Sequence, residues 1–596
     1  MAGRSLAAPP AAFWRSRRAA ALLVAALAFV AYLNALDNPF VYDDFFSVTG
    51  NPSIAAEADP RWTVIYMPFR PVVNISYALD RRLWGYQPFG YHLTNLTLHA
   101  IASAVLLLFL LRALSDSREA DAPDDRAVST RESWAAFAGA ALFAVHPIQS
   151  ETAGYISSRS EILCGLFLMS ALLLARIASQ HRLAYPGAAS KPRRALAAVG
   201  AVCCAVLAML SKEVAAALPV LLLGYDWLVR PGPAPAARRR AVVVFVPLLL
   251  VTALAVLHRV RSLSGTDASV AAAPLLNVLA QSIVIWRYLG LMLWPSGQAI
   301  MHGTHSVTAL TDPLGLAASA GLVALAGVAF AVRGRMPLAA MGALWWFACI
   351  APSSSLVALH EAMAEHRVYV ASMGVAMVVA ALVQWGLQRA AVASRRVPIV
   401  FTVGLGTLLA VCVLLTVERN RVWGSPVALW REAVAASPGM WEPRYALGDA
   451  LREAGDCRPA LREYEAVLVE RPRSRDALTN YGICLGQLDR FAEAEAVFRR
   501  ALAVDPSYAR GYTNLAAVSL LGGDAEQARD YYLRAIVVDP KSVHARMQLA
   551  RIYEERLQDY GRAAQMCAEA RGISPSTPGA ADCIARNEQR GRGGAP

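Results

Sequence analysis

Twelve apolar runs, all within the first 420 residues, constrain this chain more than any other feature. They fall at about 19–36, 91–113, 134–147, 161–178, 195–210, 214–229, 241–258, 276–294, 314–332, 337–353, 368–387 and 397–416. A helix of about 20 mostly apolar residues crosses the hydrocarbon of a bilayer. In that solvent no water meets the backbone, so each span must satisfy its own N–H and C=O groups as a helix. The runs therefore predict an all-α membrane body over 19–420, behind a short cytoplasmic segment at 1–18. Composition agrees: 56% of the 596 residues are hydrophobic and 17% charged, against about 25% charged in ordinary soluble proteins. Residues 421–596, rich in Arg, Glu and Asp, read instead as a soluble part.

Arg and Lys mark the cytoplasmic loops. The basic stretches are Arg15/Arg17/Arg18, the loop 181–194, Arg230 with Arg238–Arg240, Arg333/Arg335, and Arg389/Arg395/Arg396. Placing all of these inside leaves one run too many between 241 and 335. The run 276–294 carries Arg287 in its middle and is assigned to the interface, which leaves eleven crossings. The N-terminus is then cytoplasmic. The first exported loop is about 37–90, and the soluble part lies on the exported side: periplasm in a bacterium, ER lumen in a eukaryote. The first run is retained, because "ALLVAALAFVAYLNAL" ends without an A-x-A cleavage site. The net charge of +13 reflects these loops; no basic groove with interleaved aromatics points to nucleic acid.

Beyond residue 430 the chain repeats. Pro438, Pro472, Pro506 and Pro540 are spaced by 34, and Pro575 follows at 35. Leu447-Gly448, Tyr481-Gly482 and Leu515-Ala516 share one position of the repeat, Ala460/Ala494/Ala528 a second, and Tyr464/Phe498/Tyr532 a third. This is the tetratricopeptide pattern, in which a small residue lets two helices cross closely and an aromatic fills the groove. It predicts an α-solenoid over 426–577: a half-unit at 426–440 and units at about 441–474, 475–508, 509–542 and 543–577. A cap and tail follow at 578–596. Such solenoids bind protein or peptide. The nine cysteines show no metal-site spacing. A Cys567–Cys583 bridge is open in an oxidising compartment, but unpaired packing is the favoured reading.

The ionisable residues gather on the exported face. Asp43 and Asp44 stand among Phe40, Tyr42, Phe45 and Phe46 in "NPFVYDDFF". Arg70, His146, Glu151, Arg159, Glu161, Lys212, Glu213, Glu365, His366, Arg367 and Tyr369 lie in or beside the other exported loops. Charged groups at membrane depth are costly and point to function. A carboxylate can deprotonate an acceptor hydroxyl, and cations can hold a lipid-linked phosphate and stabilise it as it leaves. The competing readings are an interfacial turn for the acids, a structural ion pair of Arg159 with Glu151 or Glu161, and a helix end for Lys212-Glu213.

"NPFVYDDF", "RPVVNISYALDRRLWGYQPFGYHLTNLTLHA", "HPIQSETAGYISSRSEIL", "LSKEVAAALPVLLLGYD" and "APSSSLVALHEAMAEHRVYVASMG", followed by the repeats, resemble the transmembrane-and-TPR O-mannosyltransferases and their bacterial relatives, of the GT-C superfamily. The resemblance runs through the chain in order. It implies a polyprenyl- or dolichyl-phosphate sugar donor, with mannose the family expectation, and a Ser or Thr hydroxyl on an exported protein as acceptor. It implies inversion in one displacement and no cofactor or metal, although a carboxylate pair suits a hard cation. Asp43 and Asp44 take the catalytic position; the choice of base between them stays open, with Asp44 taken as base or acceptor positioner and Asp43 as its partner. Lys212, His366 and Arg367, then Arg70, are assigned to the donor phosphate. The solenoid would bind or position the acceptor. Two alternatives remain: a non-catalytic membrane scaffold displaying the solenoid, and an enzyme of the same class acting on a glycan or lipid. A transporter would need polar groups on both faces.

Overall fold

A computed structural model describes residues 17–55, 58–117, 129–179, 191–230, 274–354, 361–390 and 397–593, together with 246, 249, 250, 253 and 359. The predicted run at 241–258, the loop 259–275, most of the segment 1–18, the basic stretches at 181–190, 238–240 and 395–396, and the tail at 594–596 lie wholly or largely outside them. The described residues contain no strand. The chain divides into two compact units, Met1–Leu429 and Trp430–Pro596.

Among the described residues of the first unit seven helices are long and apolar enough to cross a membrane: Pro88–Asp116, Ile156–Ala178, Pro192–Met209, Pro274–Leu293, Pro313–Ala331, Glu365–Ala390 and Ile399–Trp423. Shorter helices run over Arg17–Ala31, Thr130–Val145 and Pro337–Ile350. The chain is a helical membrane protein. Small residues let the helices approach, as packing in lipid requires. Thr130–Val145 buries Ala135, Ala136, Ala138, Gly139, Ala140 and Ala141 among its neighbours. A Cβ on Gly139 would lie 2.5 Å from the Ala376 carbonyl oxygen. Gly342 and Gly374 meet back to back where Pro337–Ile350 crosses Tyr369–Ala390.

One run differs from expectation in shape, and a second bears on the crossing map. The run at 214–229 is not one straight helix but three short pieces, Glu213–Ala217, Leu218–Gly224 and Tyr225–Val229, with Pro219 in the first turn of the middle one. The run at 276–294, expected at the interface because of Arg287, is long and apolar enough to span. Arg287 is satisfied by the Gly303 carbonyl, 2.8 Å from Nη1, in the segment that follows the helix.

The second unit is a helical-hairpin array. The first helices of successive units begin at Trp441, Arg475, Ala509 and Val543, and the second helices at Cys457, Phe491, Ala525 and Tyr560. Each hairpin turn carries one residue of positive φ: Gly455, Asp489, Gly523 and Gln558. The first three are 34 apart and the fourth is 35 on, so the extra residue implied by Pro575 sits in the fourth hairpin turn. Ala460, Ala494, Ala528, Tyr464, Phe498 and Tyr532 are all buried as the pattern requires. Asp449 joins adjacent units by accepting from Tyr464 Oη at 2.6 Å and Asn480 Nδ2 at 2.7 Å. Cys567 and Cys583 form a disulfide between the last hairpin and the Ala580–Gly593 helix. This corrects the unpaired reading: 16 residues of separation cannot report that the capping helix folds back to a Cα–Cα distance of 6.2 Å.

Candidate active site

The acidic loop begins where the first helix ends, and asparagines fix that exit. Asn34 Nδ2 donates to the Val417 carbonyl at 3.0 Å, Asn420 Nδ2 to Asn34 Oδ1 at 2.9 Å, and Asn38 Nδ2 to the Asn420 carbonyl at 3.4 Å. Tyr42 then adopts φ 48°, a left-handed conformation costly for a residue with a Cβ. Its hydroxyl donates to Glu361 Oε1 at 3.1 Å. The turn sends the next two side chains to different surroundings.

Asp44 is fully buried. Its Oδ2 accepts from the Val41 amide at 3.1 Å, and Oδ1 accepts from the Ser157 amide at 2.8 Å and the Ser157 hydroxyl at 2.7 Å. Burial pushes its carboxyl up to about 7, against the pull of those three donors. Asp43 is exposed. Its backbone N–H is held by Tyr155 Oη at 3.0 Å, and Tyr155 is stacked on Trp423, ring centroids 5.5 Å apart. Asp44 thus latches the loop and Asp43 presents a carboxylate. The sequence reading left the choice of base between the two and leaned to Asp44; of the pair, Asp43 is the exposed one. Four side chains, Asn51, Ser53, Thr63 and Asn74, hydrogen-bond to one another and to backbone carbonyls beneath the same loop.

The cationic candidates fall into two groups. Arg70, just before the Pro71–Trp84 helix, lies 3.7 Å from Glu213, both side chains more than a third exposed. Lys212 is buried in an ion pair with Glu161. The Val72 amide bonds the Leu210 carbonyl at 3.4 Å, which brings these two pairs side by side. In the second group, Arg367 donates to the Glu361 carbonyl at 2.6 Å and lies 3.7 Å from its carboxylate. His366 Nδ1 is 2.5 Å from Glu151 Oε1, and the Glu365 amide donates to Glu151 Oε2 at 3.0 Å. Burial, reinforced by the neighbouring Glu365 carboxyl, holds Glu151 well above the usual carboxylate range. Lys212, Glu161, Arg367 and Glu361 all lie within electrostatic reach of His366, so the two groups adjoin.

Other candidates are placed in the scaffold. Glu365 accepts from Gln298 Nε2, the Ala299 amide and His302, at 2.7–2.8 Å, and so fixes the segment 298–302. Arg159 is sealed in the interior. It pairs with Asp80 at 2.6 Å, donates to Asn95, Ser76 and the Tyr91 carbonyl, and lies over the Tyr77 ring. His146 spends both ring nitrogens: Nδ1 accepts from the Ile148 amide, so Nε2–H donates to the Met292 carbonyl at 3.0 Å. Tyr369 packs against His99 and Phe143 in the helix core. Sequence reasoning missed Asp80, Tyr155, Ser157, His302 and Glu361. Glu361 lay in the quoted "HEAMAEHRVY", but nothing in its spacing separated it from Glu365. Among the described residues no three His, Cys, Asp or Glu side chains gather as a metal site would require.

A helical membrane body with an acidic loop after its first helix, followed by tetratricopeptide repeats, defines the class. The tetratricopeptide repeat family model matches residues 445–509 and 520–578. Among curated proteins the chain is similar to human Protein O-mannosyl-transferase TMTC1, 29% identical over 168 residues. It is also similar to Xenopus laevis Protein O-mannosyl-transferase tmtc2, 32% identical over 171 residues. Each match covers 26% of this chain, and 17% and 18% of the respective relative's length. The crystal structure of MamA aligns with 25% of this chain and 86% of its own, at 21% identity and a TM-score of 0.24. The resemblance read from the sequence motifs therefore stands, over a small part of the relatives' length.

Proposed function

We propose that this chain transfers a sugar, mannose first among the candidates, from a polyprenyl- or dolichyl-phosphate donor to Ser or Thr hydroxyls of exported proteins. The observation that carries the proposal is the exposed Asp43 carboxylate, beside the buried Asp44 latch, on a loop that Tyr42 ties to Glu361, the partner of Arg367. The names of the relatives support the reaction type. In the reaction, Asp43 takes the proton of the acceptor hydroxyl as its oxygen attacks the anomeric carbon. The bond from that carbon to the phosphate oxygen breaks, and the lipid phosphate leaves with the electron pair. The anomeric centre inverts.

Arg70 and Arg367 are the cations offered to the phosphate: each lies 3.7 Å from its carboxylate, and Arg367 keeps Nη1 on the Glu361 carbonyl. Lys212, closed against Glu161, contributes its charge from behind. Glu151, held protonated, donates to His366 Nδ1; that leaves Nε2–H, which has no protein partner among the described residues, as a donor to the phosphate. These side chains meet the leaving charge. The acidic loop and the solenoid face the exported side, where the disulfide Cys567–Cys583 is stable, and the solenoid positions the acceptor.

The test compares exported and membrane proteins from a deletion strain complemented with the native gene or with Asp43→Asn at equal abundance. Hexose-bearing Ser/Thr peptides return only with the native gene. If they return with both, Asp43 is not the base. If they return with neither, the acceptor is not protein, and surface glycans and lipids become the next assay.

A further inference from the structure

Cys457 opens the second helix of the first repeat, and Cys484 lies in the first helix of the second. Both are buried, and neither is bonded in the structure. Their Sγ atoms are 2.7 Å apart, closer than two non-bonded sulfurs pack. A disulfide sets its sulfurs about 2.05 Å apart, so bond formation needs a movement of roughly 0.7 Å. The repeat itself does not demand sulfur there. Thirty-four residues on, the equivalent pair is Phe491 and Val518, and the next is Ala525 and Ile552. Plain hydrophobes occupy the same positions in later units.

We propose that Cys457 and Cys484 are joined by a disulfide that links the first repeat covalently to the second. The proposal rests on the exported-side reading, because an oxidising compartment is where such a bond persists. The oxidant is a dithiol–disulfide oxidoreductase of that compartment. One cysteine thiolate attacks a sulfur of its disulfide to give a mixed disulfide. The second cysteine attacks that bond and releases the reduced oxidoreductase. The two hydrogens of the cysteine thiols end on the two thiols of the carrier, and the cysteine pair is oxidised by two electrons. The bond then lies buried, out of reach of further exchange. Terminal units of a repeat array have a neighbour on one side only and open most easily. With Cys567–Cys583 at the other end, the array would be cross-linked at both extremities.

The experiment uses the full chain in membranes from cells that export it. The sample is denatured in iodoacetamide without reductant, then reduced and labelled with an isotopically distinct alkylator, and the cysteine peptides are read by mass spectrometry. Cys203, an exposed thiol, takes the first label and reports that alkylation was complete. The expected result is loss of the first label at Cys457 and Cys484, and a cross-linked peptide pair lighter by two hydrogens before reduction. First label at both positions, with Cys567 and Cys583 protected, overturns the proposal and leaves the exported-side reading standing. First label at all four overturns both.

Discussion

Asp43 and Asp44 are neighbours in the chain with opposite surroundings, and their substitutions should fail in different ways. Asn at position 44 has one acceptor oxygen, so either the Val41 amide or the Ser157 donors lose their partner. The expected cost is about 1–3 kcal/mol for leaving a buried donor unpaired, read as faster hydrogen exchange over residues 40–50. Asp43→Asn leaves exchange unchanged and lowers transfer by roughly 10²–10⁴, the usual worth of a general base. Asp44 also sets a pH dependence. Its folded value, about 7, lies above the ordinary 3.8, so the folded loop binds the proton more tightly than the open one. Loop stability is complete below about pH 4 and falls as pH rises through 7. Exchange protection factors from pH 4 to 8 should show this decline, and Asp44→Asn should flatten it. Glu151 gives a third test. Gln can donate to His366 Nδ1 as a protonated carboxyl does and still accept from the Glu365 amide. Transfer should survive Glu151→Gln and be lost in Glu151→Ala; loss in both would mean that the ionised form is needed.

Among the elements, the hairpins were the most legible, because a 34-residue period records local packing that every unit must repeat. Gly448 and Gly482 show the constraint: a Cβ there would come within 2.7 Å of the Tyr464 and Phe498 rings. The third unit uses Ala516 at that place, so its neighbours can yield to one methyl group. Gly482→Ala should therefore be nearly neutral, and Gly482→Val should cost about 1–3 kcal/mol through overpacking, seen as a lower thermal midpoint for the solenoid. Within the described residues the apolar runs other than 214–229 were equally readable as helices. What the sequence hid was pairing at long range. Arg159 sits two residues from Glu161 and eight from Glu151, yet its partner is Asp80, and Glu161 closes on Lys212 instead. Helix neighbours in space, not in sequence, decide such pairs. The tight break of 214–229 was masked for another reason: apolarity reports lipid compatibility, not straightness.

For the whole molecule the decisive quantity is sidedness, because the proposed chemistry requires the acidic loop and the solenoid on the exported side. A reporter active only in the cytoplasm should be silent when fused after Arg421 and active when fused after Arg230; activity after Arg421 would overturn the eleven-crossing map together with the proposed site. The asparagine contacts add a constraint of time. Asn38 and Asn420 touch although 382 residues separate them, and Asn34 needs Val417 from the same late helix. During synthesis the ribosome delivers the acidic loop early and its fastening almost at the end of the membrane unit. Until that last helix is inserted, the loop's exit has no partner for its amides. A chain interrupted anywhere before residue 417 would hold its aspartates by Val41, Tyr155 and Ser157 alone, with the root of the loop still loose.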